Sequence, residues 1–562
     1  MKKNWRTLAA ICMAGGLFAA QLAGCSQKSG NPMASSGAST MEESSAAGTD
    51  EAEQGSGETK AETAKEEDIR QTAQLGEGGE KEVAWLAEDL DGDWDAQTAV
   101  EILCEDSGIR AEGDGVSVSG QTVTISEAGT YLVTGAMADG QILIDTEKEE
   151  TVHLVLSGVE LSNMTTAPVY SKGKGKVILT LAEGTVNTVS DSTAYQYESE
   201  TEDEPDAPVF VKGDLTVNGA GELQVYGNYQ CGIRSKGELK VASGTLDVKA
   251  VTDGLKGRDS VMVRDGVITI ESGKDGIKSN NDQEEDRGFI WIDGGQITIT
   301  AKDDGIQAET NVIINGGEID ITESDEGIAG LAVDILGGVT KIVSSDDGIN
   351  AAAAVETEQE KAEDQDGVYI RVAGGEVHIN AMADGIDSNG DLYIDGGAVY
   401  LSGPSGDGDG ILDYNGSGII TGGTLFGAGS SGMMQAFDET KSTQRFVVIY
   451  FTDQQKAGTV ITLTDDSSRE LGSLTSQKDY SAVIISTPEI EEGNTYHVLS
   501  GDVTADLQVE GMMTIYGTAQ RKAMGGRDGG RGAGQKAQPG GPRPAHGAKV
   551  INRPPSASTS SS

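Results

Sequence analysis

Residues 294–328 read GGQITITAKDDGIQAETNVIINGGEIDITESDEGI, and two phrases of this stretch recur along the middle of the chain. The first phrase is an acidic residue followed by glycine and an aliphatic residue, as in Asp304-Gly305-Ile306. The second is a glycine pair followed by alternating apolar residues, as in Gly294-Gly295-Gln296-Ile297. Both phrases keep a period of about 22 residues, and two phrases locked to one period predict a repeat protein.

The acidic residue of the first phrase recurs along the chain at intervals of 22, 29, 22, 21, 37 and 25 residues, so three intervals contain insertions. The acidic positions are Asp253, Asp275, Asp304, Glu326, Asp347, Asp384 and Asp409. Three short strands joined by glycine-containing turns fit one repeat. We therefore predict an all-β chain whose centre is a parallel β-helix with coils of about 22 residues. A sandwich or barrel is the alternative for alternating strands, and the single sustained period disfavours it.

The composition agrees with many turns and short aliphatic strands. The 562 residues include 79 glycines, only 4% are aromatic, and the formal net charge is −50. Nucleic-acid binding needs clustered lysine and arginine, so this charge argues against nucleic acid and favours cations as partners. Only four histidines are present, and neither a nucleophile-elbow context nor a spaced acid pair supports hydrolase chemistry.

The N-terminus has the features of a bacterial lipoprotein. Lys2 and Arg6 precede an apolar run, and Leu22-Ala23-Gly24-Cys25 resembles a lipobox, in which Cys25 would carry the lipid. An ordinary signal peptide is the alternative. No later apolar run is long enough to span a bilayer, so we expect a monomer held at the extracellular face of the bacterial cell membrane by lipid alone.

Composition shifts divide the chain into segments. Residues 26–84 are rich in Ser, Gly and Glu, which predicts a flexible tether. The acidic run from Asp89 to Asp95 lacks the glycine and glutamate of an EF-hand, so we interpret it as a solvated lead-in. The predicted segments are a lipoprotein signal peptide (1–25), a disordered tether (26–84), an N-terminal cap with the first coils (85–206), the regular β-helix (207–428), a small C-terminal antiparallel β domain (429–520) and a disordered basic tail (521–562).

Matching positions of stacked coils form columns, so the acidic corners should lie about 5 Å apart. Unit charges at that distance repel by about 1 kcal/mol in water and by about 3 to 4 kcal/mol at an effective dielectric of 20. Calcium accepts about six to eight oxygen ligands in loose geometry and is the natural counterion. Aspartate that merely caps its own turn is the alternative, but it leaves doubled acids in consecutive coils unexplained. The predicted calcium ligands are Asp253, Asp275, Asp303, Asp304, Asp325, Glu326, Asp346, Asp347, Asp384, Asp407 and Asp409.

A basic column follows the acidic one by three residues. It comprises Arg234, Lys256 and Lys278, and it then gives way to Gln307, Ala329 and Asn350. Lysine and arginine beside calcium-loaded carboxylates would bind the carboxylates of a uronate polymer, so we predict the three basic residues as carbohydrate ligands. Ordinary pairing with the neighbouring aspartates is an equally weighted alternative.

Several segments resemble one known family. They are Thr122 to Tyr131, Val152 to Leu161 and Leu179 to Thr185, together with the repeated Asp-Gly-Ile phrases. From Gln121 to Gly427 the chain is similar to clostridial carbohydrate-binding-domain proteins. The resemblance implies a surface-anchored, right-handed parallel β-helix that binds calcium and acidic polysaccharide such as polygalacturonate. It places acidic turns at Asp304, Asp347, Asp384 and Asp409, and it departs at Cys231.

Three functions fit these observations. The first is a non-catalytic, calcium-dependent binder of acidic polysaccharide. The second is a pectate-lyase-like polysaccharide lyase in which Lys256, Arg258 or Lys278 acts as the base, since such lyases combine this architecture with calcium. The third is an adhesin or structural surface protein that calcium only stiffens.

Overall fold

The computed structural model describes residues 67–146, 150–197, 199, 201–353 and 364–519. The signal peptide, Cys25 and the basic tail 521–562 lie outside the described residues. Within them the chain is nearly all β, and long parallel-strand sheets make up its centre. The predicted all-β class is therefore confirmed. The handedness of the coiling and the length of one coil stay predictions.

One sheet consists of short strands that follow the acidic corners. Its first two strands pair antiparallel, and all later neighbours are parallel. In sheet order from its N-terminal end the thirteen strands are Val116–Ser119, Thr122–Ile125, Gln141–Ile144, Val169–Ser171, Val209–Val211, Ile233–Ser235, Leu255–Gly257, Ile277–Ser279, Ile306–Ala308, Ile328–Gly330, Ile349–Ala351, Ile386–Ser388 and Leu412–Tyr414. We call this the short-strand sheet.

Two further parallel ladders start from the long strands Gly129–Met137 and Val152–Ser162, which contribute to both. The first ladder continues through Val177–Leu181, Leu215–Gly219, Glu238–Val241, Ser260–Val263, Phe289–Ile292, Asn311–Ile314, Ala332–Ile335, Tyr369–Val372, Asp391–Ile394 and Gly418–Ile420. The second continues through Val186–Ser190, Glu222–Gly227, Thr245–Ala250, Val267–Ser272, Gln296–Thr300, Glu318–Glu323, Val339–Ser344, Glu376–Ala381, Ala398–Ser402 and Thr424–Gly429. At the N-terminal end Val100–Glu105 pairs parallel with the first long strand and antiparallel with Gly108–Ala111.

Aliphatic side chains from the short-strand sheet and from both ladders form one continuous core. In the short-strand sheet Ile306, Ile328 and Ile349 pair in register, and each is fully buried. Burial of an aliphatic side chain contributes about 1.5 to 3 kcal/mol, and each repeat buries the apolar face of its neighbour. Among the described residues no helix has the length and apolar character of a membrane span.

Residues 69–85, which composition assigned to the end of the tether, instead form a hairpin of Ile69–Gln74 and Glu80–Trp85 around the 3₁₀ turn Gly76–Gly78. The hairpin packs on the first ladder, where Trp85 is fully buried with Met262 and Trp291. The polar composition hid this element because a few apolar residues on one face of a hairpin are enough to dock it.

Asp89 is not part of a solvated lead-in, because its side chain is completely buried beside the helix Ala87–Leu90. Its carboxylate lies 2.5 Å from Lys176 Nζ and 3.3 Å from Lys240 Nζ, and it accepts a 2.6 Å hydrogen bond from the Thr216 hydroxyl. Burial alone would raise the pKa of Asp89, but the two lysines and the hydroxyl lower it. This buried ion cluster fastens the N-terminal segment to the first ladder.

The C-terminal strands are continuous with the second ladder rather than separate from it. Tyr480–Ser486 pairs antiparallel with Thr424–Gly429 and with Phe446–Gln455, which pairs parallel with Met513–Tyr516. The open end of the second ladder would expose unpaired backbone N–H and C=O groups, and pairing with the C-terminal strands satisfies them. A four-stranded antiparallel sheet packs beyond it, in the order Glu470–Thr475, Val460–Asp465, Thr495–Ser500 and Val503–Gln508.

The buried ion cluster makes Asp89→Ala a strongly destabilising substitution. We expect a loss of about 3 to 5 kcal/mol, because Lys176 and Lys240 lose the one fully buried carboxylate that both contact and keep only Glu88 and Glu238 as partners. Hydrogen exchange should show early loss of protection across residues 69–90. The control is Asp93→Ala, which removes an exposed acid of the same run. Equal protection in the two variants would contradict the assigned role.

Candidate cation and carbohydrate site

The predicted acidic corners come together in one column from Asp253 to Asp384. Each corner carbonyl accepts a hydrogen bond from the glycine that follows the preceding corner. Gly254, Gly276, Gly305, Gly327 and Gly348 donate to the carbonyls of Asp275, Asp304, Glu326, Asp347 and Asp384 at 2.9 to 3.0 Å. Cys231 belongs to the same column, since Gly232 donates to the Asp253 carbonyl at 2.9 Å. The backbone thus fixes one corner above the next.

The glycine of the repeated phrase has a steric cause. A Cβ atom on Gly276 would lie 2.4 Å from Ile299 Cγ2 and 2.6 Å from the Gly305 carbonyl oxygen. No side chain fits between coils at this distance, so glycine is required here whatever the column binds. The steric argument explains the glycine but not the acid that precedes it.

At the N-terminal end of the column, basic residues neutralise the acids. Lys256 Nζ lies 2.5 Å from Asp253 Oδ2, and Lys278 forms the equivalent pair with Asp275. One coil earlier, Arg234 pairs with Asp206. Burial alone would raise the pKa of Asp253, but Lys256 lowers it. The structure therefore favours internal pairing over direct sugar contact for the predicted ligands Arg234, Lys256 and Lys278.

Toward the C-terminal end two carboxylate clusters follow, and the first of them still contains Asp275, which pairs with Lys278. In the Asp304 cluster, made of Asp275, Asp303 and Asp304, one oxygen from each residue lies within 4.8 Å of the others. The same holds for the Asp347 cluster, made of Asp347, Asp384 and Asp387. No lysine or arginine of the described residues forms an ion pair with a member of the Asp347 cluster.

These carboxyl groups have strongly raised pKa values. Burial first, and then the neighbouring carboxylates, raise the pKa of Asp304 to about 9 and that of Asp347 to about 10. The same causes raise the pKa of Asp384 to about 7 and hold that of Asp387 well above its ordinary value. The ionised column is thus unfavourable until a cation compensates it.

Two amide groups beside the clusters offer further oxygen ligands. Gln307 Oε1 and Asn350 Oδ1 are buried and have no hydrogen-bond partner. Both belong to the column that carries Lys256 and Lys278 earlier in the sheet. Asp206 Oδ1 and Asp253 Oδ1 also have no hydrogen-bond partner. The other oxygen of each carboxylate, however, pairs with a basic side chain, Arg234 for Asp206 and Lys256 for Asp253. Carboxylates with neutral amide oxygens are the donor set that calcium prefers, so the residues fit this ion.

The predicted ligands Asp325, Glu326, Asp346 and Asp407 belong to neither carboxylate cluster. Asp325 accepts a 2.8 Å hydrogen bond from the Ser345 hydroxyl, and Glu326 accepts one at 2.8 Å from Asn350. Burial raises the pKa of Glu326 to about 7. Asp346 lies next to the column without joining either cluster. Asp407 is exposed, off the column, and accepts a 2.9 Å hydrogen bond from Ser430.

Asp409 is one residue out of register, which corrects its assignment to the column. Leu412, not Ile411, pairs with Ile386, so Gly410 stands at the corner and donates its N–H to Asp384 Oδ1. Ile411 then fills the place of the invariant glycine. It fits because a Cβ on Gly427 would lie only 2.7 Å from Ile411 Cγ2, so the strand beneath leaves room for the larger side chain.

Asp387, an additional candidate ligand by sequence, is the third member of the Asp347 cluster. It pairs in register with Asn350 and with Asp413. Following the basic column past Asn350 to the next repeat leads to this residue. The sequence therefore contained the evidence for this ligand, because the residue at this position of the repeat changes from basic to acidic along the column.

The fold and the column define a β-rich repeat protein with a row of buried acids. The family described as carbohydrate-binding domain-containing protein matches residues 119–410, more than half of the chain, and the chain belongs to this family. The matched residues include both carboxylate clusters and the paired lysines.

Two known proteins are similar to parts of this chain. A carbohydrate-binding domain-containing protein of Acetivibrio thermocellus is 37% identical over 150 residues, which are 26% of this chain and 52% of the relative. The chain thus spans about half the length of that curated relative. A solved structure of the polysaccharide lyase-like protein from C. thermocellum, a gadolinium derivative, is 32% identical and covers 50% of this chain and 99% of its own, with a TM-score of 0.41.

The two ends of the column should respond oppositely to loss of one charge. In chelator, Asp347→Asn should stabilise the fold by about 1 to 3 kcal/mol because it removes an uncompensated acid. The matched variant Asp253→Asn should destabilise it by about 3 kcal/mol, since Lys256 loses its partner. Thermal unfolding of both variants measures this difference. Melting-temperature shifts of the same sign would contradict the division of the column into a lysine-paired end and an unpaired end.

Stability in chelator should fall as pH rises. The folded chain keeps protons on Asp304 and Asp347 that the unfolded chain releases near pH 4, so stability is complete below that pH. It is lost as pH rises through the folded pKa values, from about 7 for Asp384 to about 10 for Asp347. Urea unfolding at pH 5, 7 and 9 tests this, with a flatter profile expected for Asp304→Asn/Asp347→Asn. A flat wild-type profile would be inconsistent with the uncompensated column.

Proposed function

We propose that this chain is a right-handed parallel β-helix that binds acidic polysaccharide non-catalytically and in a calcium-dependent manner. The observation that carries the proposal is the Asp347 cluster, in which three carboxylates converge and no lysine or arginine of the described residues forms an ion pair with them. Membership of a carbohydrate-binding family supports a polysaccharide as the partner. The cluster and Asn350 would hold the ion, which when bound supplies positive charge for the carboxylates of a uronate polymer.

Acidic polymer is the ligand class that the electrostatics favour. A chain with a formal net charge of −50 repels polyanions over its surface as a whole. Contact with a uronate polymer therefore requires local positive charge, and Lys256 and Lys278 are already used for internal pairs. Lys274 adds a positive charge near Asp303, but at the Asp347 cluster a bound divalent cation is the source that the described residues leave. Binding of acidic polymer and binding of calcium should therefore depend on each other.

The paired lysines argue against the lyase alternative. A general base has to lose its proton near neutral pH. Burial alone would lower the pKa of Lys278, but Asp275 raises it, so this amine stays protonated. Arg258 lies 3.4 Å from both Asp259 and Asn281. The site therefore supports binding better than β-elimination.

Affinity electrophoresis in gels that contain polygalacturonate tests this function. We expect binding at least about tenfold tighter with calcium than with chelator, and we expect Asp347→Asn/Asp387→Asn to abolish the difference because the ion loses two of three carboxylates. Asp407→Asn is the matched control, since it removes an exposed acid away from the column and should bind as wild type. Retention that calcium does not change would overturn the proposal. The lipid anchor at Cys25 is a separate prediction that this experiment does not address.

A further inference from the structure

Three tyrosines meet at the surface near the N-terminal end of the acidic column. The rings of Tyr195 and Tyr229 stack with centroids 4.4 Å apart and planes inclined by 13°. The Tyr197 centroid lies 6.2 Å from Tyr195 and 6.4 Å from Tyr229. All three side chains are half-buried, so part of this aromatic surface faces solvent. We call these residues the tyrosine cluster.

Tyr229 lies in a corner that is one residue longer than the next. Gly227 pairs with Ala250, and Cys231 occupies the column position next to Asp253. The chain therefore advances four residues from Gly227 to Cys231 where the next repeat advances three from Ala250 to Asp253. Backbone hydrogen bonds of 3.1 Å from Val251 and 2.9 Å from Thr252 close the two sides of the longer turn. The extra residue creates a place for an aromatic side chain that the later corners lack.

Hydrogen bonds hold the cluster in one arrangement. The Tyr195 hydroxyl donates to Asp191 Oδ2 at 2.7 Å, and the Tyr197 hydroxyl donates to the Pro205 carbonyl at 2.8 Å. Asp191 Oδ1 in turn accepts from the backbone N–H of Asn228, beside Tyr229. Rings fixed before binding lose little conformational entropy when a ligand packs on them.

The surroundings of the tyrosine cluster do not call for a cation. The corner of this repeat is Cys231, which is not acidic, and burial raises the pKa of its thiol to about 11. Arg234 pairs with Asp206 and Lys236 with Glu204. Asp191 accepts hydrogen bonds from the Tyr195 hydroxyl and the Asn228 N–H, and it does not converge with other carboxylates into either of the two clusters. A ligand at this end therefore meets aromatic faces rather than a group of converging acids.

We propose that the tyrosine cluster is a metal-independent stacking site for a pyranose ring of a polysaccharide. The apolar C–H face of a pyranose packs on an aromatic ring, and its hydroxyls stay in contact with water and with polar groups at the rim. The inference rests on the proposed function in one respect, namely that the chain binds polysaccharide. It differs in needing no calcium.

Affinity electrophoresis in chelator isolates this site from the carboxylate clusters. The gels contain polygalacturonate, xylan or hydroxyethylcellulose in turn. We expect wild type to be retarded by at least one polymer and Tyr229→Ala to bind it about tenfold more weakly. Tyr229→Phe keeps the flat ring and should bind as wild type. Tyr516→Ala, which removes a tyrosine exposed on the C-terminal strand Met513–Tyr516, is the matched control.

Thermal unfolding separates stacking from a purely structural role. Tyr229→Leu keeps an apolar side chain in the turn, so it should preserve the melting temperature and still lose retention. If Tyr229→Ala and Tyr229→Leu bind as wild type, the cluster only anchors its loop and the inference is wrong. Absence of retardation by every polymer in chelator also overturns it. Retardation of polygalacturonate in parallel gels that contain calcium in place of chelator would leave the proposed function standing.

Discussion

Parallel pairing without a shift of register places like side chains one above another, about 4.8 Å apart, and this constraint decides the chemistry of the column. Each corner is tied to the next by a backbone hydrogen bond, and this prevents the corners from spreading apart. The donors are Gly254, Gly276, Gly305, Gly327 and Gly348. A buried carboxylate at every corner is then unfavourable unless each charge is compensated. In the N-terminal part, Lys256 and Lys278 supply that compensation from the neighbouring column. Where the neighbouring residues become Asn350 and Asp387, the same backbone gathers three acids that form no ion pair with a lysine or arginine of the described residues.

The repeated phrase therefore has two independent causes. Its glycine is steric, because a Cβ at Gly276 would meet the next coil at 2.4 Å. Its acid is electrostatic, because turn formation alone does not require a carboxylate that burial and its neighbours penalise. Cys231 supports this separation, since it keeps the glycine that follows and the position in the column but carries no charge. One repeated pattern along a chain can thus reflect a steric and an electrostatic requirement at once.

Periodicity was enough to predict the all-β class and the alignment of corners from Asp253 to Asp384, because an exact backbone repeat makes long-range contacts readable from spacing. It failed at Asp409, where the same three letters occur one residue out of register and only the packing of Ile411 against Gly427 reveals the shift. Composition failed for residues 69–85, since Trp85 and its few apolar neighbours are too sparse to mark a docked hairpin. The tyrosine cluster depends on a contact between a loop and a distant turn, which spacing does not encode.

The middle residues of the short strands show how one sheet face combines several kinds of contact. In paired order they are Tyr170, Phe210, Arg234, Lys256, Lys278, Gln307, Ala329, Asn350, Asp387 and Asp413. The face thus changes from aromatic through basic and neutral to acidic. Tyr170 and Phe210 are themselves buried in a core cluster against which Tyr195 packs, so the solvent meets the tyrosine cluster at this end and not the strand residues. Two weak contacts on one rigid sheet reinforce each other because the second forms at high effective concentration. The two proposed sites together therefore predict a higher affinity for a long polymer than for a short one.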